Sequence, residues 1–348
     1  MTTARRELVD VAVTRWYHCI SRCVRQAYLM GGGAEDRKQW IEDRLEHLAA
    51  SFAISVGGFS ALDNHLHVVC RLDPEVSLAW SAEEVVGRWI AVYPPRKLAM
   101  DDAKAVKAWI AREVKDKQRV ETLRSRLANL GWFMKALKEP LARMANQADG
   151  CRGAFWAARY KSIAILDKEA LLACSAYVDL NPLAAGIAPT PESSHYTSIK
   201  QRIDHVRSHG KLDTLAAARQ GSVAGSMAAG NVEQDHWLVP IEDRRRTTPV
   251  TSTCIREGML ESFSLGSYLL LVDYTSRLYR EGKARMNSAV KDVFERLGTD
   301  EVSWSNRILK MLGSRDLRGS FFASDPASVR KLAQTRGKRT ANLSPQAA

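Results

Sequence analysis

A chain of 348 residues, 45% hydrophobic and 26% charged, can bury a core and has room for two domains. Its net charge of +12 and pI near 9.5 point to a polyanionic partner, most simply nucleic acid, with plain solubility as the alternative. Met1 to Asp10 lacks the apolar core of a signal peptide, and no apolar run reaches the ~20 residues of a membrane span. Cys19, Cys23, Cys70, Cys151, Cys174 and Cys254 show neither CxxC pairs nor zinc-finger spacing. The expectation is a cytoplasmic protein with reduced thiols, with no membrane partner.

Arg15 to Arg22 has the aromatic and apolar density of a strand, which Val24 to Met30 extends or pairs with before Gly31-Gly32-Gly33. From Glu35 to about Ser51, the residues Trp40, Ile41, Leu45 and Leu48 recur at helical spacing. Phe52 to Ala61 reads as a second strand, and after the Asp63-Asn64 turn His65 to Leu72 reads as a third. Alternate strand side chains share a face, so His65 and His67 point one way and Leu66, Val68 and Cys70 the other. Two such imidazoles can close on one divalent metal, although a bare His-x-His is more simply two polar residues on an exposed sheet face. The order β, α, β, β is the first half of a small α+β sandwich with one antiparallel sheet.

Ser81-Ala82-Glu83-Glu84 caps a helix that Pro94-Pro95 ends. The charge-dense stretch from about 95 to 128 reads as a helical insertion, and 130–148 as a further helix that Pro140 should kink. Residues 154–165 can form a strand or hairpin, in which Arg152, Arg159 and Lys161 lie beside Trp156 and Tyr160. Cations among aromatics suit single-stranded nucleic acid; an edge strand with charged outward residues is the even alternative. Asp167 to Pro182 reads as a helix with an acidic start and a proline at its end. Its Leu171, Ser175, Val178 and Pro182 should pack on the sheet, leaving Tyr177 and Asn181, at i and i+4, on a neighbouring face among small residues that a bulky polymer can approach. Taken alone, Tyr177 is more simply a packing tyrosine. His205 and His209, also at i and i+4, read as a solvated basic helix face.

Together, Asn64-His65-Leu66-His67 and Ala176-Tyr177-Val178-Asp179-Leu180-Asn181-Pro182-Leu183-Ala184-Ala185-Gly186-Ile187 resemble the histidine strand and tyrosine helix of single-tyrosine HUH endonucleases. The resemblance is to the IS200-like branch that includes the REP-associated tyrosine transposases, and Phe155 to Lys161 looks like the segment placed just upstream in that branch. It covers roughly residues 10–200. The insertion and about 150 further residues are departures.

The resemblance implies an α+β fold: an antiparallel-sheet HUH (ferredoxin-like) domain over 10–200 with a helical insertion at 95–128 and a mainly α-helical C-terminal extension. It implies a DNA transposase that nicks and rejoins single-stranded DNA with hairpin ends through a covalent phosphotyrosine at Tyr177. Mg²⁺ or Mn²⁺ would be held by His65 and His67, with Asn181 as the third ligand because its amide oxygen suits a hard cation. Arg152, Trp156, Arg159, Tyr160 and Lys161 would contact DNA, and one tyrosine per chain implies a homodimer for two simultaneous cuts. When DNA-bound, such a protein would be nucleoid-associated. Three alternatives stand beside this reading: a non-catalytic DNA-binding derivative, a replication-initiator HUH nuclease, and a hydrolytic phosphoesterase whose second histidine motif the sequence lacks. Beyond the core, 211–240 reads as an Ala, Gly and Ser-rich linker, 241–325 as a helical accessory region, and 326–348 as a basic, disordered tail.

Overall fold

The computed structural model describes residues 9–31, 36–245, 255–261, 263–281, 294–295, 299–312, 321–323, 327–330 and 346–347. The fold is α+β, built on a mostly antiparallel sheet with helices against both faces. In chain order its strands are β1 (Trp16–Arg22), β2 (Ile54–Ala61), β3 (His65–Leu72), β4 (Lys161–Ile165), β7 (Phe321–Ala323) and β8 (Gln346–Ala347), arranged as β2-β3-β1-β4-β7-β8. The pairs β2·β3, β3·β1 and β1·β4 are antiparallel, while β7 and β8 add in parallel beyond β4. A separate two-stranded pairing joins β5 (Glu242–Asp243) to β6 (Leu260–Glu261).

The period-2 alternation divides the sheet as the sequence predicts. Tyr17, Cys19, Leu66, Val68 and Cys70 fill one core, against Ile41, Leu45 and Leu48 of α1 (Arg37–Ser51). Beyond the short α2 (Pro74–Ala79), the same core takes residues from α3 (Ala82–Val92), α5 (Lys117–Leu127) and α6 (Leu130–Ala148). Burying each large aliphatic side chain there contributes about 1.5–3 kcal/mol. Ile20, Val69, Ile163 and Ile165 fill the opposite core, beneath α7 (Lys168–Ala184). β2 bulges between Val56 and Gly58. A Cβ on Gly57 would stand 2.6 Å from the Trp16 ring, so this close approach requires glycine.

Local signals explain the helix bounds. Asp36 and Asp167 accept backbone N–H groups at the starts of α1 and α7, and Ser81 forms a reciprocal capping box with Glu84 at α3. The insertion is helical, as α4 (Ala103–Glu113) and α5. α6 is one continuous helix through Pro140.

Several expectations give way. Val24 to Met30 neither extends nor pairs with β1: Val24–Gln26 is a short 3-10 turn in which Arg25 and Gln26 have positive φ. Only Lys161–Ile165 of the 154–165 stretch is a strand; before it, Trp156 makes one isolated bridge to Cys23. α7 runs two residues past Pro182. Its end is set by Gly186, at φ 72°, whose N–H bonds Leu183 O while Ile187 N–H bonds Pro182 O. The segment 211–240 is no open linker, because small residues there permit close helix packing. It holds α9 (Leu212–Arg219) and α10 (Val223–Glu233), with Leu215 and Ala229 in the core. Glu233 pairs at 2.7 Å with buried Arg202 of α8 (Ser198–Ser208), which also donates to Gly57 O and Val239 O.

α11 (Leu265–Glu281) and α12 (Glu301–Leu312) pack on α7. Arg307 pairs with Glu169, and the Tyr268 hydroxyl donates to Asp179. The expected tail at 326–348 lies outside the described residues apart from 327–330 and β8.

Candidate active site

Register places the site. Ile20 stands opposite His67 and Arg22 opposite His65 across β1·β3, and His18 opposite Ile163 across β1·β4. His18, Arg22, His65, His67 and Lys161 therefore share the sheet face that α7 covers. Helical spacing then sets Tyr177 and Asn181 of α7 above that face. Tyr177 lies edge-on to His67 with ring centroids 5.5 Å apart, and to His18 at 6.0 Å. Asn181 Oδ1 is 3.2 Å from His65 Nε2. His65, His67, Tyr177 and Asn181 thus meet in one place.

His18 is the member that sequence reasoning missed. Its Nε2 lies 2.8 Å from His67 Nδ1. The two rings are tilted only 20° with centroids 5.0 Å apart. Nitrogens so close between such rings make an in-plane N–H···N bond, not a face-to-face stack. The signal in the sequence was a histidine in the strand next to the His-x-His strand. Finding it required knowing that β1 pairs with β3 and in which register.

The phenol departs from expectation. Tyr177 was expected on an approachable face, yet it is 5% exposed and every residue of α7 from Ala170 to Leu183 is buried. The helix lies between the sheet, α11 and α12, with the start of α8 bonded to Asp179, so Tyr177 faces the sheet and no residue from Ala170 to Leu183 is left exposed. A neighbouring cavity of about 330 Å³ is walled by Lys38, Leu62, Pro182, His195 and Tyr196 but not by Tyr177 or Asn181. Burial pushes the Tyr177 phenol up to about 12, and the Asn181 side chain within hydrogen-bonding reach pulls it partly back.

Burial likewise holds the imidazoles neutral. His65 is lowered to about 4 despite its contact with Asn181, His18 to about 3 with Lys161 nearby adding to the effect, and His67 well below its ordinary value. Neutral imidazoles are the metal-binding form. Asn64 Nδ2 donates to Gln26 O, which turns its Oδ1 toward His65 Nδ1 at 2.6 Å. The one proton of neutral His65 therefore sits on Nδ1, and its Nε2 lone pair faces Asn181. An Asn181 amide turned to offer its N–H satisfies that contact. So does a cation, because ligands at right angles on bonds of about 2.1 Å stand about 3 Å apart. His67 Nε2 is buried with no hydrogen-bond partner among the described residues. Two imidazole nitrogens and one amide oxygen form a donor set that fits a divalent cation with open positions, Mn²⁺ better than the oxygen-seeking Mg²⁺. Among the described residues, no three His, Cys, Asp or Glu side chains cluster as a metal site.

The residues expected at DNA separate. Arg152 and Arg159 are exposed. Tyr160 is 6% exposed and packs in the core, so its ring is no stacking platform. Trp156 is half-buried, its Nε1 bonded to Lys138 O and Lys138 Nζ 5.0 Å over its ring. Ala157 N–H bonds Arg22 O, which sets this loop at the His65 end of the site. His205 is not simply solvated: its ring packs 4.5 Å from that of buried His236, while His209 is exposed.

No helix among the described residues is long and apolar enough to cross a membrane. No family model matches the chain, and no curated protein does. Among solved structures, that of a REP-associated tyrosine transposase bound to a REP hairpin is similar over 54% of this chain and 78% of that chain, with 10% sequence identity and a TM-score of 0.32.

Proposed function

We propose that the chain is a divalent-metal-dependent endonuclease and strand transferase for single-stranded DNA, of the REP-associated tyrosine transposase kind, with Tyr177 as nucleophile. The observation that carries the reading is the convergence of Tyr177 on His67 and of Asn181 on His65, from a helix and a strand over a hundred residues apart. The phenol oxygen attacks the scissile phosphorus, the P–O3′ bond breaks, and the phenol proton ends on the released 3′ oxygen. Phosphotyrosine keeps the bond energy for rejoining. A bound Mg²⁺ or Mn²⁺ supplies charge neutralisation at the phosphate and orients it. His65, His67 and Asn181 would hold it. Exposed Arg152 and Arg159, with Lys161 on the histidine face, meet the DNA backbone, and two copies of the chain supply two tyrosines.

The test is incubation of the protein with Mn²⁺ and single-stranded DNA carrying hairpins from the flanks of its own reading frame. A covalent protein–DNA adduct should form and should vanish in Tyr177→Phe; cleavage that persists in this variant sinks the assignment. The 5% exposure of Tyr177 favours a second reading, a DNA-binding protein that no longer cuts. That reading expects hairpin binding of equal strength in both proteins and no adduct in either.

A further inference from the structure

We infer that His18 is a positioning residue that accepts the Nδ1 proton of His67, and so lets His67 offer a cation its Nε2 lone pair rather than an N–H. The inference rests on the metal-site reading above and adds to it a residue outside the His-x-His strand.

His18 Nε2 and His67 Nδ1 stand 2.8 Å apart, and both residues are essentially sealed from solvent, at 0% and 1% exposure. Only one proton fits in that contact. The outer nitrogens, His18 Nδ1 and His67 Nε2, have no hydrogen-bond partner among the described residues. The pair therefore has two neutral arrangements. In one, His67 Nδ1–H donates to His18 Nε2, leaving a lone pair on His67 Nε2. In the other, His18 Nε2–H donates to His67 Nδ1, leaving an N–H on His67 Nε2 that no cation accepts. Each arrangement strands one buried donor and one buried acceptor, so the protein alone is nearly balanced between them.

His65 shows which arrangement the site uses. Asn64 holds His65 as the Nδ1–H tautomer, with its Nε2 lone pair turned to Asn181. With His18 accepting from His67 Nδ1, both histidines of the strand present Nε2 lone pairs to the same side. Asn64 and His18 then play one role for two neighbouring ligands: acceptors behind the ring that orient it and raise its basicity. Phe322 of β7, its ring centroid 5.9 Å from that of His18 and tilted 24°, and Ile163, opposite His18 in register, restrict the His18 ring.

The experiment is Mn²⁺ binding by the full chain, followed by electron paramagnetic resonance, beside long-range ¹H–¹⁵N spectra of the ring nitrogens read with diamagnetic Mg²⁺. In the unmodified protein, adding Mg²⁺ should leave His67 protonated at Nδ1. His18→Leu, which cannot accept the proton, should weaken Mn²⁺ binding about 10–100-fold. His18→Gln, whose amide oxygen can accept, should recover most of the loss. A His67 protonated at Nε2 with the cation present, or a His18→Leu protein that binds Mn²⁺ as tightly as the parent, overturns the assignment. If His18→Leu fails to fold, the spectra of the unmodified protein decide alone. His67→Ala separates the two levels: unchanged Mn²⁺ affinity in that variant removes the metal site itself, whereas lost affinity there and none lost in His18→Leu removes only the role of His18.

Discussion

Asn181 carries two duties on one short side chain. Its oxygen stands 3.2 Å from His65 Nε2, and its amide holds the Tyr177 phenol below where burial alone would push it. On the proposed cation site, Asn181→Ala should therefore weaken Mn²⁺ binding at least about tenfold, because a donor atom would be lost and the His65 ring loses a restraint. Titration calorimetry reads this directly, and unchanged affinity would show that the amide is no ligand. Spacing along a helix made Tyr177 and Asn181 legible as neighbours, and strand alternation did the same for His65 and His67. Spacing could not reveal that Tyr177 points into the protein, because i and i+4 fix a shared face and leave open what that face meets. The same gap misplaced Tyr160, whose ring fills the core beneath a loop that reads as an exposed aromatic and basic stretch.

At the scale of elements, α7 is held by its middle. Buried Asp179 accepts from Ser198 Oγ, from Ile199 N–H at 2.9 Å and from the Tyr268 hydroxyl. It thereby ties the tyrosine helix to the start of α8 and to α11. Burial raises its carboxyl, and these donors pull it back. Asp179→Ala strands the buried Ile199 N–H and Tyr268 hydroxyl, while Ser198 Oγ keeps Phe59 O at 3.3 Å, and should cost about 2–4 kcal/mol, read from urea midpoints. Asp179→Asn, which keeps an acceptor, should cost less. A loss under about 0.5 kcal/mol in the alanine variant would mean that α7 is held by packing alone. Residues at the helix start made two of the helices readable, at Ser81 and at Asp167, whereas the cap at Asp36 emerged only in the structure. The segment at 211–240 was not readable, since Ala, Gly and Ser serve a linker and a tight helix contact alike; the partner surface on α8 and α11 decides.

For the whole molecule, several histidines are folded away as neutral rings. Burial lowers His18 to about 3, His65 to about 4 and His236 to about 2, against an ordinary 6.5. Below pH 6.5 the unfolded chain takes up protons that the folded chain refuses. The stability these groups contribute is therefore present above pH 6.5 and is lost as pH falls toward 4, with a slope of up to about 1.4 kcal/mol per pH unit for each. Glu42, pushed up to about 6 by burial, acts in the opposite sense, as do Asp179 and Glu233, which burial also raises; with His67 and His205 lowered as well, the histidines outnumber them. Urea midpoints measured without metal should fall steadily between pH 6.5 and 4.5. A flat profile would mean that the folded state lets these rings protonate.

From residue order alone came the α+β class, the cap at Ser81, the shared face of the two strand histidines and the pairing of Tyr177 with Asn181. All of these depend on periods of two and of about four residues along one element. The tertiary structure alone decided the His18–His67 contact, the burial of the phenol and the packing of α11 and α12 over α7. These depend on strand register and on which surfaces meet across long stretches of chain, and a local period carries no record of either.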